Sequence, residues 1–130
     1  MDVGLLEDNP AIQEYLQKAL ELHGHSVFMH TYGIALLDTL FASKPVQAPL
    51  AYDLVIIDRN LPGELSGQDV ILRIRKAIPA EMLPIIVISS ATRFELEQLR
   101  SLFLDISFIQ KPFKLQTLLQ TLEMSNELQR

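Results

Sequence analysis

Five side chains for which a hydrophobic core has no use stand at, or just beyond, the ends of short apolar runs: Glu7, Asp8, Asp58, Ser89 and Lys111. Asp58 closes Leu54-Val55-Ile56-Ile57 and is followed by Leu61-Pro62-Gly63, where proline removes a ladder donor and glycine permits a turn. Glu7 and Asp8 close Val3 to Leu6, Ser89 closes Pro84 to Ile88, and Lys111 follows Ser107 to Ile109. Three carboxylates gathered in one shallow site repel one another and hold their protons more tightly unless a cation compensates. Mg²⁺ meets that need, because it takes oxygen ligands octahedrally and is commonly held by one or two carboxylates with phosphate oxygens and water. A carboxylate beside such an ion can attack phosphorus and become an aspartyl phosphate. A lysine and a hydroxyl then hold the other phosphoryl oxygens. Asp58 fits the nucleophile's role, and Lys111 and Ser89 fit the other two.

These residues are far apart in the chain, so the fold must gather them. The continuous apolar run before Asp58 suits a central strand covered on both faces. Val3 to Leu6 reads as a first strand, after which Asn9-Pro10 caps and opens a helix with an apolar stripe of Ile12, Tyr15, Leu16, Ala19, Leu20 and Leu22, ended by Gly24. Val27 to His30 is a second strand, and Ile34 to Ala42 a second helix with Leu36, Leu37, Leu40 and Phe41 facing inward. Ser43 to Tyr52 has two prolines and no helical period, and reads as a loop into the central strand. Val70 to Ile78 has helical spacing at Val70, Ile71, Ile74 and Ile78, with Arg73, Arg75 and Lys76 outside. Pro84 to Ile88 is a fourth strand, and Phe94 to Phe103 a fourth helix carrying Phe94, Leu96, Leu99, Leu102 and Phe103. Ser107 to Ile109 is the fifth strand, and Leu115 to Leu128 the fifth helix. Strand then helix, five times over, predicts an α/β fold with a doubly wound five-stranded parallel sheet. Parallel strands present their carboxyl ends on one edge, where open α/β sheets bind ligands, so the five polar groups should converge there.

The chain has 130 residues, room for one domain with its own core, and nearly half of them are apolar. A formal charge of −5 and the lack of a basic stripe argue against nucleic-acid binding by this domain. The absence of cysteine excludes disulfides, thiolate metal sites and cysteine nucleophiles. No apolar run approaches the roughly 18 residues of a membrane span, and the acidic amino terminus lacks the features of a secretory signal. A cytoplasmic protein without membrane contact is expected.

The constellation resembles that of the response-regulator receiver domain, the phosphoaccepting half of two-component signalling, along essentially the whole chain. The residues that carry the resemblance are Glu7-Asp8, Asp58 with Pro62 four positions on, Ser89, and Lys111-Pro112-Phe113. It implies a flavodoxin-like sheet of strand order 2-1-3-4-5, with Asp58 taking a phosphoryl group from a histidine kinase, phosphotransfer protein or small phosphodonor. By the same resemblance, Asp8, Asp58 and the Asn60 main-chain carbonyl hold Mg²⁺, and Glu7 holds it through water. Ser89 would turn toward the phosphoryl group, and the aromatic at Phe108 would turn inward to reshape the face made by the fourth helix, fifth strand and fifth helix. That face is the implied surface for a homodimer, and transcription regulation, through an effector domain beyond residue 130 or a partner, is the implied output. Some positions depart from the family's pattern. The glycine usually eight residues after the acceptor stands one later, at Gly67, as though Glu64 or Leu65 were inserted. Ser90 replaces the usual alanine, and Leu104-Asp105-Ile106-Ser107 replaces a common glycine-alanine-aspartate stretch.

The main competing function is a receiver-like domain that no longer accepts phosphate and works as a protein-interaction module; the shifted Gly67 is its support. A phosphatase using an aspartyl phosphate needs a second acid two residues after the nucleophile, where Asn60 stands. A flavin carrier of the same topology needs a donor-rich phosphate loop after the first strand, and Glu7-Asp8 would repel that phosphate. His23, His25 and His30 read as solvated side chains rather than a zinc site.

Overall fold

The structure is a computed structural model that describes residues 1–42, 49–58 and 66–128. Among the described residues strands and helices alternate: β1 Asp2–Leu6, α1 Pro10–Leu22, β2 Ser26–His30, α2 Gly33–Leu40, β3 Leu54–Asp58, α3 Gly67–Ala77, β4 Ile85–Ser89, α4 Arg93–Leu102, β5 Ser107–Gln110 and α5 Leu115–Leu128. The strands form one parallel sheet, as the alternation predicts, in the order β2-β1-β3-β4-β5 that the family resemblance implies.

Every residue of β3 and β4 is buried. Successive strand side chains point to opposite faces, so Val55 and Ile57 join one core layer and Leu54 and Ile56 the other. The first layer packs beneath α2, α3 and α4 through Leu36, Leu40, Val70, Ile74, Leu96 and Leu99. The second lies beneath α1 and α5, through Leu16, Leu20, Leu118 and Leu122. Covering both faces is what allows the inner strands to be apolar throughout.

Local chemistry fixes where the helices start. The Asn9 side chain accepts from the N–H groups of Ala11 at 2.9 Å and Ile12 at 3.3 Å, and Pro10 occupies the first turn, where no partner for its nitrogen is needed. Ser66 and Asp69 form a reciprocal capping box that opens α3, and Thr92 accepts from Glu95 N–H to open α4. Gly24, at φ +86°, makes the left-handed turn after α1.

Several positions differ from the sequence expectation. Phe41 is 43% exposed rather than inward, because α2 ends at Leu40. Tyr15 and Leu22 of the α1 stripe are exposed, as are Phe94 and Leu102 of α4, while Leu16, Leu20, Leu96 and Leu99 form the buried part of those stripes. Arg75, expected outside, has a side chain only 13% exposed and bonded to neighbours. Of the expected loop before β3, Ser43 to Ala48 lies outside the described residues, whereas Tyr52 at its end is buried. The Tyr52 ring occupies the space a side chain on Gly4 would need: a Cβ there would come within 2.5 Å of it. The Tyr52 hydroxyl hydrogen-bonds His30 Nε2.

Candidate functional site

Strand register assembles the site one step at a time. Leu6 lies beside Ile57, so Glu7 falls next to Asp58; Asp58 lies beside Ile88, so Ser89 is one step further along β4. Ser89 in turn lies beside Gln110, and Lys111 is one step beyond. The Lys111 main-chain N–H donates to Ser89 O at 2.7 Å. Glu7 is anchored by its N–H donating to His30 O at 3.1 Å, and by Gln13 Nε2 donating to its carbonyl.

The carboxylates of Glu7, Asp8 and Asp58 each offer an oxygen within 4.8 Å of the others. Glu7 and Asp58 are buried at 2% and 4% exposure, and Asp8 is exposed at the mouth. Lys111 Nζ lies 3.3 Å from Asp58 Oδ2. Ser89 is fully buried, and its Oγ accepts from Ala91 N–H at 3.0 Å. Burial pushes the Glu7 carboxyl up to about 7; the Asn9 N–H on its Oε1 and the nearby Lys111 charge oppose the rise, and the Asp58 charge adds to it. The edge thus concentrates negative charge beside one lysine, in a partly dry setting.

A family profile for the response regulator receiver domain matches residues 3–123, nearly the whole chain. The chain belongs to that family. Receiver domains of two-component signalling are switches rather than conventional enzymes, and they work with histidine kinases and phosphotransfer proteins. No curated protein matches this receiver domain at a significant level. Solved structures show the same fold. The chemotaxis protein CheY4 of Vibrio cholerae is 22% identical, with 95% of this chain and 97% of that one covered and a TM-score of 0.77. The response regulator TrrA of Thermotoga maritima, solved in complex with Mg²⁺-BeF, is 23% identical, with 95% and 97% covered and a TM-score of 0.76. The receiver domain of a sensor histidine kinase from Pseudomonas aeruginosa, with a magnesium ion coordinated in its active-site cleft, is 24% identical, with 95% and 94% covered and a TM-score of 0.75.

The acidic pocket of this receiver domain fits Mg²⁺ on its own chemistry. Its donors are all oxygens, as a hard cation requires, and three carboxylates share the space, the Asp58 charge adding to the rise that burial causes at Glu7. Asn60 lies outside the described residues, as do Pro62, Glu64 and Leu65. Phe108 points inward at 8% exposure, in the core layer of Leu96 and Leu99. The histidines have separate partners: His23 Nδ1 meets Ala19 O, His25 Nδ1 meets the Met1 amino group, and His30 meets Tyr52. Among the described residues, none of them joins a cluster of potential metal ligands. One contact at this edge has no counterpart in the sequence reading: Gln110 Nε2 donates to Ala91 O at 3.0 Å. A side-chain to main-chain bond across a strand-helix unit leaves no local signature, and only the strand register puts the two within reach.

Proposed function

We propose that this receiver domain is a phosphorylation-dependent switch in which Asp58 accepts a phosphoryl group from a histidine kinase or phosphotransfer protein. The observation that carries the reading is the meeting of Glu7, Asp8 and Asp58 within 4.8 Å, with Lys111 at 3.3 Å from the Asp58 carboxylate. Asp8 and Asp58, with the Asn60 main-chain carbonyl, would hold Mg²⁺, and Glu7 would hold it through water. Bound there, the cation offsets the mutual repulsion of the carboxylates and the charge of a transferring phosphoryl group. Asp58 Oδ attacks the donor's phosphorus, the bond from phosphorus to the donor breaks, and the donor leaves with that bond's electron pair. Lys111 Nζ, now beside Asp58, is positioned to take a phosphoryl oxygen as its new counter-ion. Ser89 donates its hydroxyl to another phosphoryl oxygen.

The response would pass from Ser89 through the segment into α4 and on to the α4–β5–α5 face, where Phe108, expected to turn inward, already points inward. That face carries a groove of about 460 Å³ whose lining includes Arg100, Phe103, Leu104, Phe108 and Met124, with Leu104 and Met124 strongly exposed. It is the surface offered to a second copy or to an effector, and transcription regulation through an effector beyond residue 130 is the proposed output. The domain acts in the cytoplasm.

The test is intact mass with and without Mg²⁺ and acetyl phosphate, on the wild type and on Asp58→Asn. The reading requires a Mg²⁺-dependent gain of one phosphoryl group, lost entirely in the variant. Labelling of Asp58→Asn at the wild-type level overturns it. A folded protein that neither gains the group nor binds beryllofluoride is a protein-interaction module instead.

A further inference from the structure

Ala91 is held in both of the peptide units that flank its Cα. Its N–H donates to Ser89 Oγ at 3.0 Å, a buried bond, and its carbonyl accepts from Gln110 Nε2 at 3.0 Å. Ser89 is completely buried, Ala91 is 8% exposed, and the next residue, Thr92, opens α4 by capping Glu95 N–H. The stretch from Ser89 to α4 is therefore fastened to β5 by a side chain one residue before Lys111. A second side chain ties the same two elements together: Arg100 Nη2, on α4, donates to Phe108 O of β5 at 3.3 Å.

The hydroxyl of Ser89 is turned onto Ala91 N–H in this arrangement. Rotating Ser89 χ1 to carry Oγ toward Asp58 takes that oxygen off the Ala91 N–H, leaving a buried donor that only a moved Ala91 peptide can satisfy otherwise. Gln110 opposes that movement by holding the carbonyl of Ala91, next along the chain.

We propose that Gln110 is a positioning residue: its amide pins Ala91, and so holds the Ser89 hydroxyl in the arrangement that precedes phosphoryl binding. The proposal deepens the phosphoacceptor reading and rests on it for its functional half. Gln110 touches none of the acids. It acts through Ala91 and Ser89, and its removal shifts the balance between the two arrangements instead of blocking chemistry.

The experiment uses Gln110→Met, which keeps length and removes the donor at an exposed position. Two quantities are read: amide hydrogen exchange at Ala91 without ligand, and the affinity for beryllofluoride with Mg²⁺. Loss of one hydrogen bond of ordinary net strength should speed Ala91 exchange and tighten beryllofluoride binding, each by about fivefold. In a Ser89→Ala background the gain in affinity should vanish, because no hydroxyl remains to be released. A purely structural Gln110 would speed exchange but leave the affinity unchanged or weaken it. Either that result or unchanged Ala91 exchange overturns the proposal, as does a gain in affinity that persists in Ser89→Ala. Failure of the wild type to bind beryllofluoride is a different outcome: it overturns the phosphoacceptor reading and the functional half with it, while Ala91 exchange still decides whether Gln110 pins the loop.

Discussion

At the amino-terminal edge of the sheet Arg75 Nε pairs with Asp105 Oδ2 at 2.7 Å, and its Nη1 donates to Leu83 O at 2.8 Å and more weakly to Ile78 O at 3.4 Å. Those bonds tie the end of α3 to the entrances of β4 and β5. At the carboxyl edge three acids gather beside Lys111, and the buried Glu7 holds its proton far above the usual carboxylate range. Among the described residues, the first edge sets an arginine against an acid and two carbonyls, whereas the second crowds three acids around Lys111. Charge of the first kind supports the fold, and charge of the second kind, which costs stability, marks the place where a ligand is expected.

The largest test of that contrast sits at Asp58. Asp58→Asn should abolish acetyl-phosphate labelling by mass while leaving the urea midpoint near or above that of the wild type, since it removes a charge from a crowded site. Arg75→Met should do the reverse. It should lower unfolding stability by about 1 kcal/mol, by loss of a half-buried charge-assisted bond network whose Asp105 end is open to solvent, with labelling retained. An Asp58→Asn protein that lost stability along with labelling, or an Arg75→Met protein that lost labelling along with stability, would break the contrast.

A smaller effect is expected at Glu7. Its folded carboxyl keeps a proton up to about 7, whereas the ordinary value is 4.5, so between those pH values the folded state binds more protons than the unfolded one. Stability without a divalent cation should therefore fall as pH rises through that window. Glu7→Gln should remove this slope, so that the cation-free variant is more stable than the wild type at pH 8 but not at pH 4, measured by urea unfolding with chelator present. Added Mg²⁺ should stabilise the wild type more than the variant.

Much of the fold is legible in the sequence because burial on both faces writes the inner strands as unbroken apolar runs, and because Asn9-Pro10 marks the start of a helix. The gathering of Glu7, Asp8, Asp58, Ser89 and Lys111 follows from that: a polar residue ending such a run has to lie on one edge. Helix faces are less legible. Leu22, Phe94 and Leu102 keep the apolar type of their stripes but stand in the end turns, where the sheet no longer lies beneath them. Gly4 inside β1 was a readable sign that something approaches the backbone closely there, although it could not name Tyr52. Arg75 was misjudged because helical spacing reports a direction from the axis, and a long side chain can bend back toward carbonyls that lie elsewhere in the chain.

The bond from Lys111 N–H to Ser89 O has a consequence for how this domain can diversify. A complete helix and its flanking turns lie between the two residues in the chain, yet their spacing is set by one rung of the β4–β5 ladder and not by the length of what intervenes. So long as its apolar residues still cover the sheet as Leu96, Leu99 and Ile106 do, the outer segment from Thr92 to Ile106 can therefore be lengthened, shortened or exchanged for that of a relative without altering the distance between the lysine and serine backbones. Selection for new partners can work on that segment while the chemistry at the edge stays in place.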